Sequence, residues 1–120
     1  MRLHHVQVAC PVGGEDEARR FYRDGLEMTE VAKPAGLAGR GGCWFRAGTA
    51  EIHVGVEEPF VPARKAHPAL VLDGVVELES VAARLAALAF EVDWRERHTF
   101  AGFERFHTFD AHGNRVEVLA

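Results

Sequence analysis

The chain contains seven histidines, and a glutamate interrupts the valines of its closing stretch "HGNRVEVLA". Histidine is the commonest nitrogen ligand for transition metals and carries protons near neutral pH, so the useful question is which of these side chains converge. Strand alternation sends successive side chains to opposite faces, and it sorts them. In "LHHVQVA" Val6 and Val8 oppose His5 and Gln7; in "EIHVGV" Ile52 and Val54 oppose Glu51 and His53. In "HPALVLD" Leu70 and Leu72 oppose His67, Ala69 and Val71, and in "RVEVLA" Val116 and Val118 oppose Arg115, Glu117 and Leu119. Each of the four strands thus puts one candidate ligand on the face away from its core-like residues. Because Ala69, Val71 and Leu119 share that face, it is expected to line a cavity rather than a plain solvated surface. His5, His53, His67 and Glu117 are therefore the candidate first shell of a divalent transition metal with positions left open for water or substrate. Such donors suit zinc, nickel, manganese or ferrous iron and do not choose among them. A lone strand histidine is more often hydrogen-bonded or exposed than ligating; repetition in both halves is what gives the metal reading weight.

The elements that must position these residues repeat. The first half reads as a strand at "LHHVQVA", the turn "PVGG", and a helix over about Glu15 to Asp24 with Ala18, Phe21 and Tyr22 at helical spacing. Short strands follow at "MTEVAKP", "CWFRA" and "EIHVGVE", with the Gly-rich "GLAGRGG" between the first two. The second half gives a strand at "HPALVLD", a helix carrying Leu78, Val81, Ala82 and Leu85, and strands at "FEVDW", "ERFHTF" and "RVEVLA". Each half is β-α-β-β-β, and Pro59 and Pro62 mark the join. The expectation is one α+β domain of two modules, 1–58 and 66–120, joined by a Pro-containing linker at 59–65, with the helix of each module packed on one face of its sheet.

Bulk properties narrow the partners. A chain of 120 residues supports one core, and a net charge of -4 argues against nucleic acid or an anionic membrane as partner. No apolar run reaches the roughly 20 residues needed to cross a bilayer, and the N-terminus is patterned as a strand, so a cytoplasmic protein with a small-molecule ligand is expected. Cys10 and Cys43 have no CxxC spacing and read as buried thiols in a reducing compartment. Trp44, Arg46 and Arg105 have cavity-facing parity and are candidates, with Gln7, for binding an aromatic or anionic substrate. His4, His98 and His112 read as surface or turn residues.

The segments "LHHVQVA", "ARRFYRDGL", "EIHVGVEE", "AHPALVLD" and "FDAHGNRVEVL" together resemble the vicinal-oxygen-chelate superfamily, which includes glyoxalase I, extradiol dioxygenases and bleomycin-binding proteins. The resemblance covers Leu3 to Leu119, and it implies paired β-α-β-β-β modules forming a cupped sheet around a metal. On that resemblance His5 and His67 match the first-strand ligands and Glu117 the glutamate of the closing motif. His53 falls where glyoxalase I-like proteins place a further ligand, usually a carboxylate, with Glu51 as the fallback. His107 lies near an acidic tyrosine of the extradiol enzymes and is a candidate acid/base. The chain departs from the pattern at "GLE" after the first helix, at Ala89 in place of a glycine, and at Ala111 in place of a proline.

The resemblance implies isomerase or lyase chemistry through an enolate-like intermediate, with Glu117 moving the proton. Two alternatives stay open: ring cleavage by ferrous iron held by His5, His67 and Glu117, and a metal-free protein that sequesters a drug or metabolite. A homodimer is expected.

Overall fold

The first strand pairs across the chain rather than with its sequence neighbour. In the computed structural model, which describes residues 1–120, β1 (Val6–Cys10) lies parallel to β4 (Ala50–Val56) with Gln7 opposite His53. β3 (Cys43–Ala47) pairs antiparallel with β4, and β2 (Thr29–Val31) closes the order β1-β4-β3-β2. The second sheet repeats this order as β5-β8-β7-β6, from β5 (Ala69–Val71), β6 (Val92–Asp93), β7 (Arg105–Phe109) and β8 (Arg115–Leu119). The α+β architecture expected from the two repeats is the observed one. No helix is long and apolar enough to cross a membrane.

Local structure departs from expectation in three places. The first helix starts at α1 (Glu15–Arg19) but widens into a π-helical segment at Arg20–Gly25. There the adjacent rings of Phe21 and Tyr22 are both fully buried, Phe21 edge-on to Phe90 and Tyr22 stacked on Phe45. A four-residue helix, α2 (Ala35–Ala38), forms at the start of the Gly-rich stretch between the second and third strands, where no helix is expected. The strand at "HPALVLD" shrinks to Ala69–Val71, because Pro68 has no N–H to donate to a ladder.

Burial follows the alternation. Val8, Cys10, Ile52 and Val54 face the core on the first sheet, and Phe106, Val116 and Val118 on the second. α3 (Val75–Ala87) buries Leu78, Val81, Ala82 and Leu85 against them. The helical layers meet at Gly25, where an added Cβ would come within 2.7 Å of the Leu85 side chain. That close approach lets Arg84 Nε donate to the Gly25 carbonyl at 2.9 Å.

A buried polar knot fastens the two halves. Asp110 accepts the Tyr22 hydroxyl at 3.0 Å, the backbone N–H groups of His112 and Asn114, and the Asn114 amide at 2.8 Å. The same amide donates to the Ala9 carbonyl of β1, and its oxygen accepts Ala63 N–H. Asp110 and Asn114 are almost wholly buried, and each of their polar atoms has a partner. Removal of one partner strands the others without solvent.

Asn114→Ala is therefore expected to cost about 3 kcal/mol in urea denaturation; a loss below 1 kcal/mol would mean the knot is solvated. The glycine-like departures also leave a mark: Glu27 and Ala89 both take left-handed backbone, with φ of 54° and 65°. Since that conformation strains a side chain by roughly 1 kcal/mol, Ala89→Gly should raise stability by a similar amount in the same assay.

Candidate metal centre

The face of the second sheet opposite α3 gathers a compact set of donors. β7 and β8 place His107 directly opposite Glu117, and β5 places Ala69 opposite Glu117, so His67, two residues earlier, leans toward the same carboxylate. One ligand atom from each of His67, His107 and Glu117 lies within 4.8 Å of the other two. His67 Nε2 is 3.1 Å and His107 Nε2 3.8 Å from Glu117 Oε2.

The tautomer of His67 shows what the set is suited to hold. Its Nδ1 donates to the Lys65 carbonyl at 2.7 Å, so in the neutral ring Nε2 presents a lone pair. That lone pair faces a carboxylate oxygen. Two such atoms repel unless a cation, a proton or a metal ion, stands between them. Two imidazole nitrogens and one carboxylate oxygen are donors that zinc, nickel, manganese and ferrous iron accept, so the residues present fit a divalent transition metal.

Arg105 holds the other side of Glu117. Its Nη1 donates to Glu117 Oε1 at 2.7 Å, and its Nη2 donates to Glu96 and to the Thr99 hydroxyl. Oε1 is thereby occupied and Oε2 is left toward the histidines. Partial burial opposes ionisation of Glu117, but the hydrogen bond from Arg105, joined by one from His67 whenever that ring is protonated, outweighs it and holds the carboxyl below its ordinary 4.5. Burial, then the nearby Arg115 charge, pushes the His107 imidazole down against the pull of Glu117, which favours the neutral form that a ligand or base requires.

The four ligands read from strand parity fall into two groups. His67 and Glu117 are together; His53 on β4 and His5, just ahead of β1, are stacked on each other with ring centroids 3.9 Å apart. Trp44 continues that stack at 3.7 Å from His53. His53 Nε2 is engaged by Glu51 at 2.7 Å, and Arg46 pairs with the second oxygen of Glu51. These contacts draw the Glu51 carboxyl down to about 2. Gln7 is exposed directly opposite His53 of this stack, its amide close against Gly55. His5 and His67 nevertheless line one cavity of about 600 Å³ between the sheets. His107, read from sequence as an acid/base candidate, stands among the donors, and the register explains why: His107 has the place on β7 that Trp44 has on β3. Counting residues between the two halves could have found it.

A family model for the Glyoxalase/Bleomycin resistance protein/Dioxygenase superfamily matches residues 2–118. Among solved structures, a protein assigned to the glyoxalase family from Bacillus anthracis is 42% identical with a TM-score of 0.88, covering 99% of this chain and 93% of that one. Lactoylglutathione lyase from Agrobacterium tumefaciens, at 21% identity and TM-score 0.72, covers 98% and 92%, and shares the fold. So does the fosfomycin resistance protein FosX from Listeria monocytogenes, at 13% identity and TM-score 0.75, covering 100% and 90%. No match is found among curated proteins.

Because Arg105 holds Glu117 ionised, Arg105→Gln should raise the Glu117 titration point, read from its carboxyl carbon by NMR on metal-free protein. The sign for stability follows. A carboxyl lowered in the folded state contributes stability above its ordinary 4.5 and loses it as pH falls through the folded value, so this acid-side loss should shrink in the variant. An unchanged Glu117 titration would contradict the positioning role.

Proposed function

The chain belongs to the Glyoxalase/Bleomycin resistance protein/Dioxygenase superfamily, and from that premise we propose that it is a metal-dependent enzyme whose His67, His107 and Glu117 hold a divalent transition metal. The observation that supports this most directly is the aim of the His67 lone pair at Glu117 Oε2, with His107 completing a set of three donor atoms within 4.8 Å. When bound, such an ion would offer adjacent open positions to two vicinal oxygens of a small substrate and stabilise the negative charge that develops on them.

The chain's own residues do the rest. Arg105 keeps Glu117 a carboxylate and fixes which oxygen faces the donors. In isomerase or lyase chemistry Glu117 Oε2, the oxygen that Arg105 leaves free, would take the proton from the carbon next to the substrate oxygens when it is not holding the ion, and then return it. His67 is oriented by the Lys65 carbonyl, which supports the ring nitrogen facing the site. His5 and His53 enter this reading not as further ligands but as a border of the substrate positions, brought there by a second copy of the chain. β1 and β5 are both open sheet edges, and a homodimer joining β1 of one copy to β5 of the other would set one stack beside the opposite donor set.

A second reading is favoured by the donor set itself: two histidines and one carboxylate with open positions also suit ferrous iron and dioxygen, for cleavage of a catechol-like ring. The identity of the metal separates the two. Elemental mass spectrometry on untagged protein should find about one transition metal per chain, lost in His67→Ala and in Glu117→Gln without change in circular dichroism, and kept in His4→Ala. Iron as the sole ion supporting turnover selects the dioxygenase reading. Absence of metal after reconstitution with zinc, nickel, manganese and ferrous iron would overturn both and leave a metal-free binding protein.

A further inference from the structure

Beside the donor set, the same face of the second sheet opens into a cavity of about 480 Å³ lined by Arg64, Asp93, Arg95, Glu96, His107 and Arg115, with Phe109. Its charges do not cancel locally. Asp93 is taken by Arg95 through a paired contact, and Glu96 by Arg105 at 2.7 Å. Arg64 and Arg115 have no carboxylate within ion-pair distance. Two guanidinium groups, Arg115 half-buried and Arg64 exposed, are thus left over at a cavity wall where an anion would meet both.

The two are held in register with each other. Arg115 is opposite Phe109 on the β7–β8 pair, and the Arg64 guanidinium lies over the Phe109 ring at 5.3 Å. Arg115 N–H donates to the Ala63 carbonyl at 2.8 Å, which pins the segment carrying Arg64 to the start of β8. Arg115 also sits two residues before Glu117 on the same face, so roughly 7 Å of strand separates the free cations from the metal donors. His107 borders both places.

We propose that this cavity is an anion subsite, in which Arg64 and Arg115 hold a compact oxyanion, a phosphoryl or carboxylate group, of a substrate whose reacting oxygens lie a few bonds away at His67, His107 and Glu117. Its catalytic meaning rests on the metal reading; anion binding itself does not. Guanidinium groups suit such oxyanions because their N–H donors are fixed in a fork and always charged. Arg95 is excluded from the role, since Asp93 occupies it.

The test uses the full chain without metal. Inorganic phosphate and, separately, acetate are titrated while the His107 ring resonances are followed by NMR. A saturable shift is expected for at least one of them, weakened about tenfold or more in Arg115→Gln and in Arg64→Gln and unchanged in Arg95→Gln. Tighter phosphate binding identifies a phosphoryl group, and tighter acetate binding a carboxylate. Arg115→Lys should recover part of the lost affinity, separating lost charge from a disturbed strand. No saturable shift with either anion, or equal affinity in wild type and both glutamine variants, overturns the proposal. Glu117→Gln should still bind the anion, so a failure of the metal reading and a failure of the anion reading are seen in different variants.

Discussion

The Asp110–Asn114 knot is the constraint on which the site depends. Glu117 reaches the concave face only because β8 begins at Arg115, and the knot fixes where β8 begins: the turn over residues 110–114 is tied to Tyr22, to the Ala9 carbonyl of β1 and to Ala63. A one-residue slip of β8 would exchange Glu117 with Val116 or Val118, burying a carboxylate against α3 and turning valines outward. The hydrophobic penalty forbids that slip, and the knot specifies the register directly. Both halves of the chain contribute to it, so the donor set of the second sheet is held in place partly by residues of the first.

Repetition of one plan does not yield two equal sites. The first sheet has His5, Trp44 and His53 at the places where the second has His67, His107 and Glu117. Substituting tryptophan for a ring nitrogen donor and histidine for a carboxylate turns a ligand set into a column of stacked rings. Glu51, which could restore a carboxylate to that half, is already committed to His53 and Arg46. The charge surroundings differ as well: Arg105 leaves one oxygen of Glu117 facing its histidines, whereas both oxygens of Glu51 are engaged.

Much of this was legible in the sequence because the strands alternate cleanly. Val116 and Val118 against Glu117, and Ile52 and Val54 against His53, assign faces with no further information. The α+β fold with two repeats followed from the same patterns. Alternation names a face and not a neighbour, however, so it could not divide His5 and His53 from His67 and Glu117, nor promote His107 to a donor. Those facts live in inter-strand register, which pairs residues more than forty apart in sequence for β5 and β8. The free cations were hidden for a similar reason: Arg64 lies in the linker segment, and only the bond from Arg115 to Ala63 brings it to the cavity. Likewise, the π-helical widening at Arg20–Gly25 serves two adjacent buried rings, a demand of packing rather than of helical periodicity.

The most direct measurement is X-ray absorption fine structure on untagged protein reconstituted with one equivalent of zinc. Bonding by the His67, His107 and Glu117 donors predicts a first shell of nitrogen and oxygen at about 2.0–2.2 Å with the outer-shell scattering of at least two imidazole rings, reduced by one ring in His67→Ala. A first shell of water oxygens without imidazole scattering, or a spectrum identical in wild type and His67→Ala, would contradict a metal centre at these residues.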